Sequence, residues 1–141
     1  MKWEREAEYG EGAYHSASNG TGERIVWPHE NLQCWKEAMD YVLAIYEASS
    51  RFPAHETYGL ASQMRRAAVS VPSNLAEGVA RRGGAERRQF FFIARGSLSE
   101  LETQVILAGR LGYLPAESTR LLLDSSGKIG AMINGLLRRY R

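Results

Sequence analysis

The sequence has one cysteine, Cys34, in 141 residues, and a single thiol excludes an internal disulfide framework. It has three histidines, His15, His29 and His55, all placed in the N-terminal segment or a loop. The inward Glu-x-x-His pairs that ferritin-like di-iron bundles require are therefore missing, and no metal site and no cofactor is expected. No run approaches the ~20 apolar residues of a spanning helix, so no membrane association is expected. The opening Met1-Lys2-Trp3-Glu4-Arg5-Glu6 has no apolar stretch behind it, which argues against a secretory leader and for a cytoplasmic location. Neither β-type alternation nor a fixed internal repeat is found.

Overall charge also gives little: 18 basic against 16 acidic residues leave +2. The hydrophobic fraction of 44% and charged fraction of 24% are those of an ordinary globular domain. A domain of about 150 residues buries roughly 68–70% of its unfolded surface without staples. The charge is unevenly spread, however. Residues 1–31 hold three basic and six acidic groups, net −3, which leaves +5 on the other 110. Residues 1–30, with Gly10, Gly12, Gly20 and Gly22 among Ser, Asn and Glu, read as a flexible tail, and residues 31–141 as the folded domain. Trp27 and Pro28 are candidates to pack onto that domain.

Four segments of the domain follow the helical period. Asn31 suits an N-cap, and behind it Leu32, Trp35, Met39, Val42, Leu43 and Tyr46 form one stripe that ends at Phe52-Pro53. A second helix, about Thr57 to Arg81, carries Leu60, Met64, Ala67, Ala68, Val71, Leu75 and Val79 inward, with a kink expected at Pro72. After Gly83-Gly84, a third helix from Ala85 to Leu111 places Phe90, Ala94, Ser97, Leu98, Leu101, Val105 and Ala108 on one face and stops at Gly112. The fourth opens with Pro115 at its first position and carries Leu122, Ser125, Ile129, Met132, Ile133, Leu136 and Tyr140. Short links between long helices favour antiparallel neighbours, so the fold expected is all-α, an antiparallel up-down-up-down four-helix bundle.

The third helix has more apolar surface than one core absorbs. Phe90, Phe91, Phe92 and Ile93 are consecutive, and opposite the Phe90 stripe Phe92, Gly96, Ser99, Thr103 and Leu107 form a second face with large ends and a small middle. Leaving Phe92 and Leu107 in water forgoes about 1.5–3 kcal/mol each, so Phe92, Gly96, Thr103 and Leu107 are assigned to a subunit interface of a homo-oligomer. Scattered exposed apolar residues need no such explanation, but these form a line. Leu121 and Leu123 flank the core position Leu122 and are candidates to extend an interface.

Catalytic chemistry finds no support. Glu77, Glu100 and Glu102 in apolar helical surroundings suit hydrogen bonds or salt bridges with Arg65, Arg66 or Arg95 better than acid/base work. Cys34 has no histidine companion, and Arg82-Gly83-Gly84 has no preceding strand to make a phosphate loop. No catalytic residue is assigned. The remaining signal is arginine: Arg65, Arg66, Arg81, Arg82, Arg87, Arg88 and Arg95 stand against only Glu77 and Glu86. Arg81, Arg82, Arg87 and Arg88 bracket the glycine turn, and Arg138, Arg139 and Arg141 supply a further basic spot. Their planar forks suit phosphate, so these first four are assigned to nucleic acid, RNA or DNA. The competing reading is a solvated cap on a scaffold that docks a protein partner. Arg87 and Arg88 oppose the dipole of the helix they begin, which counts for binding. Repetition around an oligomer multiplies weak contacts.

These residues resemble a known family. Trp35, Lys36 and Ala38, then Tyr58-Gly59-Leu60 and the run QMRRAAVSVPSNLAEG from Gln63 to Gly78 carry the likeness. So do Phe90, the run IARGSLSELETQ from Ile93 to Gln104, and Leu111-Gly112-Tyr113-Leu114. The chain from about Leu32 to Tyr140 resembles the small "four helix bundle protein" group. That group includes proteins encoded in intervening sequences of bacterial 23S ribosomal RNA genes and is related to the accessory variability protein of diversity-generating retroelements. The resemblance implies a bundle assembled into a ring, typically a homopentamer. It also implies a non-enzymatic protein, with nucleic-acid or ribonucleoprotein binding for some members. Arg65, Arg66, Asn74, Glu77, Glu100 and Gln104 match the family pattern, as a structural or interface network or as a ligand site. Gly83-Gly84-Ala85 departs from the Ser-type cap usual there, a loss of a few tenths of a kcal/mol if Gly84 is the cap. The acidic N-terminal segment is also unlike the family.

Overall fold

The computed structural model describes residues 18–140. Among these are four α-helices and no strand: α1 (Gln33–Ser49), α2 (Leu60–Ala80), α3 (Gly84–Arg110) and α4 (Ala116–Arg139). Single 3-10 turns, Pro28–Asn31 and Ala54–Glu56, precede α1 and α2. Each helix packs on its neighbours in the order α1, α2, α3, α4 and back to α1, leaving α1 and α3 diagonal to one another. Residues 1–17 of the expected tail lie outside the described residues. Pro28–Asn31 packs against α1 and α2, His29 stacks on Trp35 with ring centres 5.0 Å apart, and Trp27 is half exposed.

One core runs through all four helices. Its largest fully buried side chains are Phe91, Ile45, Met64, Leu75, Leu98, Leu101, Leu122, Ile129 and Ile133. The expected α2 face is the observed one, apart from a partly buried Val79, and α2 continues through Pro72. On α3 the inward aromatic is Phe91 rather than Phe90. Gly78 explains the choice: a Cβ there would stand 2.7 Å from the Phe91 ring, so the missing side chain forms the seat into which Phe91 fits. Ser126, not Ser125, is the buried serine of α4.

The largest departure is on α1. Its buried residues are Cys34, Ala38, Tyr41, Ala44, Ile45 and Ser49. The bulkier stripe from Leu32 to Tyr46 lies to the side or outward, with Leu43 53% and Tyr46 44% exposed. Cys34, Ala38 and Ala44 let α1 approach its neighbours closely while Tyr41 and Ile45 fill the core between them.

Helix ends follow from local chemistry. Leu32, not Asn31, is the N-cap of α1, and Pro115 is the N-cap of α4 rather than its first helical residue. Gly83 caps α3. At the other end of α3, Gly112 adopts φ 76°, with its N–H on Gly109 O at 3.1 Å and the Tyr113 N–H on Ala108 O at 2.9 Å. Those two bonds are a Schellman motif, which needs a residue at ease in the left-handed region.

Candidate nucleic-acid interface at the arginine end

Arg81 is the C-cap of α2, Arg82 and Gly83 form the link, and Arg87 and Arg88 lie in the opening turns of α3. The C-terminal turn of α4 meets them there. Arg88 donates from Nη1 to Leu137 O, and the Phe91 and Tyr140 rings stand 5.9 Å apart. Arg138 and Arg139 in that turn are exposed. Three chain segments therefore bring Arg81, Arg82, Arg87, Arg88, Arg138 and Arg139 to one end of the molecule.

These arginines differ in how much of their hydrogen-bonding capacity is already committed. Arg87 turns back to α2, donating from Nε to Gly78 O at 3.3 Å and from Nη2 to Arg81 O at 2.7 Å, with its guanidinium 4.7 Å from the Tyr140 ring centre. Arg81 pairs with Glu77 at 3.0 Å and lies over the Phe90 ring at 4.8 Å. Arg88 lies 5.4 Å from the Phe92 ring, and Arg95, bonded to Asn134 Oδ1 at 3.0 Å, lies 5.1 Å from the same ring. Arg82 is exposed and has no acidic partner among the described residues. The apparent dipole conflict of Arg87 and Arg88 is thereby resolved. Their side chains serve the carbonyl ends of α2 and α4, where positive charge is favourable.

Beside this cluster a groove of about 620 Å³ runs along the start of α3, lined by Arg88, Gln89, Phe92, Ile93 and Tyr140 together with Gly84 and Ala85. It opens onto the second face of α3. Phe92 is 43% and Leu107 46% exposed, and Gly96, Ser99 and Thr103 between them are open to solvent. Leu121 and Leu123 on α4 are partly buried.

The other residues singled out in the sequence serve as links between or along helices. Arg65 donates to Ser49 Oγ at 2.8 Å and sits 4.9 Å from the Tyr46 ring, tying α2 to α1. Asn74 bonds Ser70 O at 2.8 Å, and Ser70 bonds Ser97 of α3 at 2.8 Å. Glu100 accepts from Gln104 at 3.2 Å, and Glu102 accepts from the buried Ser126 hydroxyl of α4. The partners of these carboxylates are thus Arg81, Gln104 and Ser126, not Arg65, Arg66 or Arg95. The Ser126 link was missed in the sequence because a serine on an apolar face reads as a small spacer. Burial, aided by Glu37, pushes the Cys34 thiol up to about 12, which keeps it out of the thiolate form.

Among the described residues no group of His, Cys, Asp and Glu is placed to hold a metal ion, and no helix is long and apolar enough to cross a membrane. His15 and Arg141 lie outside the described residues. The model of the 23S rRNA-intervening sequence protein matches residues 30–135, well over half of the chain. The chain belongs to that family. The matched span contains α1, α2, α3 and most of α4, the second face of α3 and the arginines from Arg65 to Arg95, whereas Arg138 and Arg139 lie beyond it. No curated protein matches the chain.

Proposed function

We propose that this 23S rRNA-intervening sequence protein is a cytoplasmic, non-enzymatic homo-oligomer, a ring of five subunits, that binds RNA or DNA, alone or within a ribonucleoprotein, through its arginine end. The subunit is an up-down-up-down antiparallel bundle in this reading. The bond between Ser49 at the end of α1 and Arg65 near the start of α2 supports that order. So do the two-residue link from α2 to α3 and the Arg88–Leu137 contact between the start of α3 and the end of α4.

The observation that carries the reading is the convergence of six arginines from three segments on one end, against few acids. Arg82, Arg138 and Arg139 remain exposed for phosphate, and Arg81, Arg87 and Arg88 set the electrostatic background. The face of Phe92, Gly96, Thr103 and Leu107 joins subunits, so a ring repeats the patch and converts a few weak contacts into avidity. The alternative, a protein-binding scaffold without a nucleic-acid ligand, draws support from Arg87 and Arg88, which are committed to backbone carbonyls.

Salt response separates the two. Fluorescence anisotropy with a generic RNA and a generic DNA at two salt concentrations is expected to show binding. About four phosphate contacts give a log-log slope of about −3 to −4. No binding at low salt contradicts the nucleic-acid reading and leaves the scaffold.

A further inference from the structure

We propose that the acidic residues 1–17 dock on the arginine end of their own chain and compete there with nucleic acid. The proposal rests on the nucleic-acid reading above and gives that site its regulation. Residues 1–17 hold Glu4, Glu6, Glu8 and Glu11 against Lys2 and Arg5, net −2, with Trp3, Tyr9 and Tyr14 among them.

The fold delivers this segment to the arginines. Ser49 of α1 meets Arg65 of α2, and in antiparallel helices the same count of residues leads back along α1 to Gln33 and forward along α2 to Arg81. The first residue of α1 is then level with the C-cap of α2. Pro28–Asn31 agrees with that placement, packing on both helices with His29 stacked on Trp35. Ser18 pairs with Arg24 across a turn, so by chain length it stands within roughly 20 Å of Pro28. The residues before it reach at most about 55–60 Å, against about 40 Å for the whole of α3. Length therefore limits nothing, and charge selects the destination.

At the arginine end Arg82, Arg138 and Arg139 are exposed and have no acidic partner among the described residues, with Glu86 the opposing charge. Arg81 is paired with Glu77, and Arg24, the cation next along the chain, with Glu30. Carboxylates match the guanidinium fork, and Trp3, Tyr9 and Tyr14 suit both its flat face and the groove lined by Ile93 and Tyr140. Tethering supplies a local concentration of about millimolar, so individually weak pairs hold at low salt. Phosphates must displace them to bind.

The test uses the full chain. Gly10→Cys carries a benzophenone maleimide, the native Cys34 being buried. Photo-cross-links in the free protein, mapped by mass spectrometry, are expected around Arg82 and Arg138. They should vanish in high salt and when Glu4→Gln, Glu6→Gln, Glu8→Gln and Glu11→Gln are combined. The same four substitutions are expected to tighten binding of a labelled oligouridylate by roughly three- to tenfold at low salt, with the gain lost at high salt. Cross-links scattered over the surface, or unmoved by salt, overturn the docking and leave the nucleic-acid reading standing. Cross-links that join two chains, seen at twice the 15.8 kDa subunit mass on a denaturing gel, overturn docking on the same chain. Cross-links in place with unchanged affinity overturn the competition alone. Absence of binding by wild type and variant alike overturns the nucleic-acid reading and the competition with it.

Discussion

A single missing side chain decides which phenylalanine opens the buried face of α3, the rest of that face being Ala94, Leu98, Leu101, Val105 and Ala108. Of the four consecutive apolar residues Phe90 to Ile93, Phe91 lies on that face, and its ring fills the gap above Gly78. Gly78→Ala is expected to displace Phe91 and cost about 1–3 kcal/mol despite the better helix propensity of alanine, as read by chemical denaturation. The arginines divide at the same scale. Arg87→Ala removes two charge-assisted bonds from the end of α2 and should cost about 1.5–3 kcal/mol. Arg82→Ala should leave the melting temperature unchanged while weakening RNA or DNA binding and shallowing the salt slope by just under one. The buried Tyr41 hydroxyl makes no hydrogen bond of normal geometry, and the Ser126 hydroxyl near it already donates to Glu102, so Tyr41→Phe is expected to be neutral or stabilising by up to about 1 kcal/mol in the same denaturation assay.

At the scale of elements, what the sequence made legible depended on whether the core side of a helix was also its bulky side. In α2 the two coincide, and Leu60, Met64, Val71 and Leu75 point inward as their spacing says. In α1 they do not. Counting large apolar residues selects the stripe from Leu32 to Tyr46, whereas the helix seats itself through Cys34, Ala38, Tyr41, Ala44 and Ile45, a face on which small residues interrupt the large ones. Periodicity gives a helix and its length; contact distance between neighbours decides its rotation. The arginine end was visible as a cluster in the sequence, but the service of Arg87 and Arg88 to α2 and α4 was not, since it requires the end of α4 to arrive from 49 residues away.

One link between elements has a pH signature. Glu37 on α1 accepts from Lys128 on α4 at 3.0 Å, and that bond holds its carboxyl below the ordinary 4.5. A lowered carboxylate stabilises the fold above its unfolded pKa and loses that contribution as pH falls through the folded one. The Lys128 side chain is 61% exposed, so screening keeps the term small. Glu37→Gln should therefore make stability fall slightly less on the acid side of pH 4.5 in pH-dependent thermal unfolding, with the difference shrinking in high salt.

For the whole molecule, the subunit buries one core but leaves Leu43, Tyr46, Phe92, Ile106 and Leu107 in water on two opposite sides. Isolated exposed residues are ordinary in a monomer. A line of helical spacing such as Phe92, Gly96, Thr103 and Leu107 is what a repeating assembly needs. In the proposed ring the arginine end would gain force, because each copy would add the same few cations to a common surface. Light scattering of the purified full-length chain across a hundredfold range of concentration tests this most directly. A constant mass of about five times the 15.8 kDa subunit is expected; a constant mass of one subunit over the whole range contradicts the proposed ring.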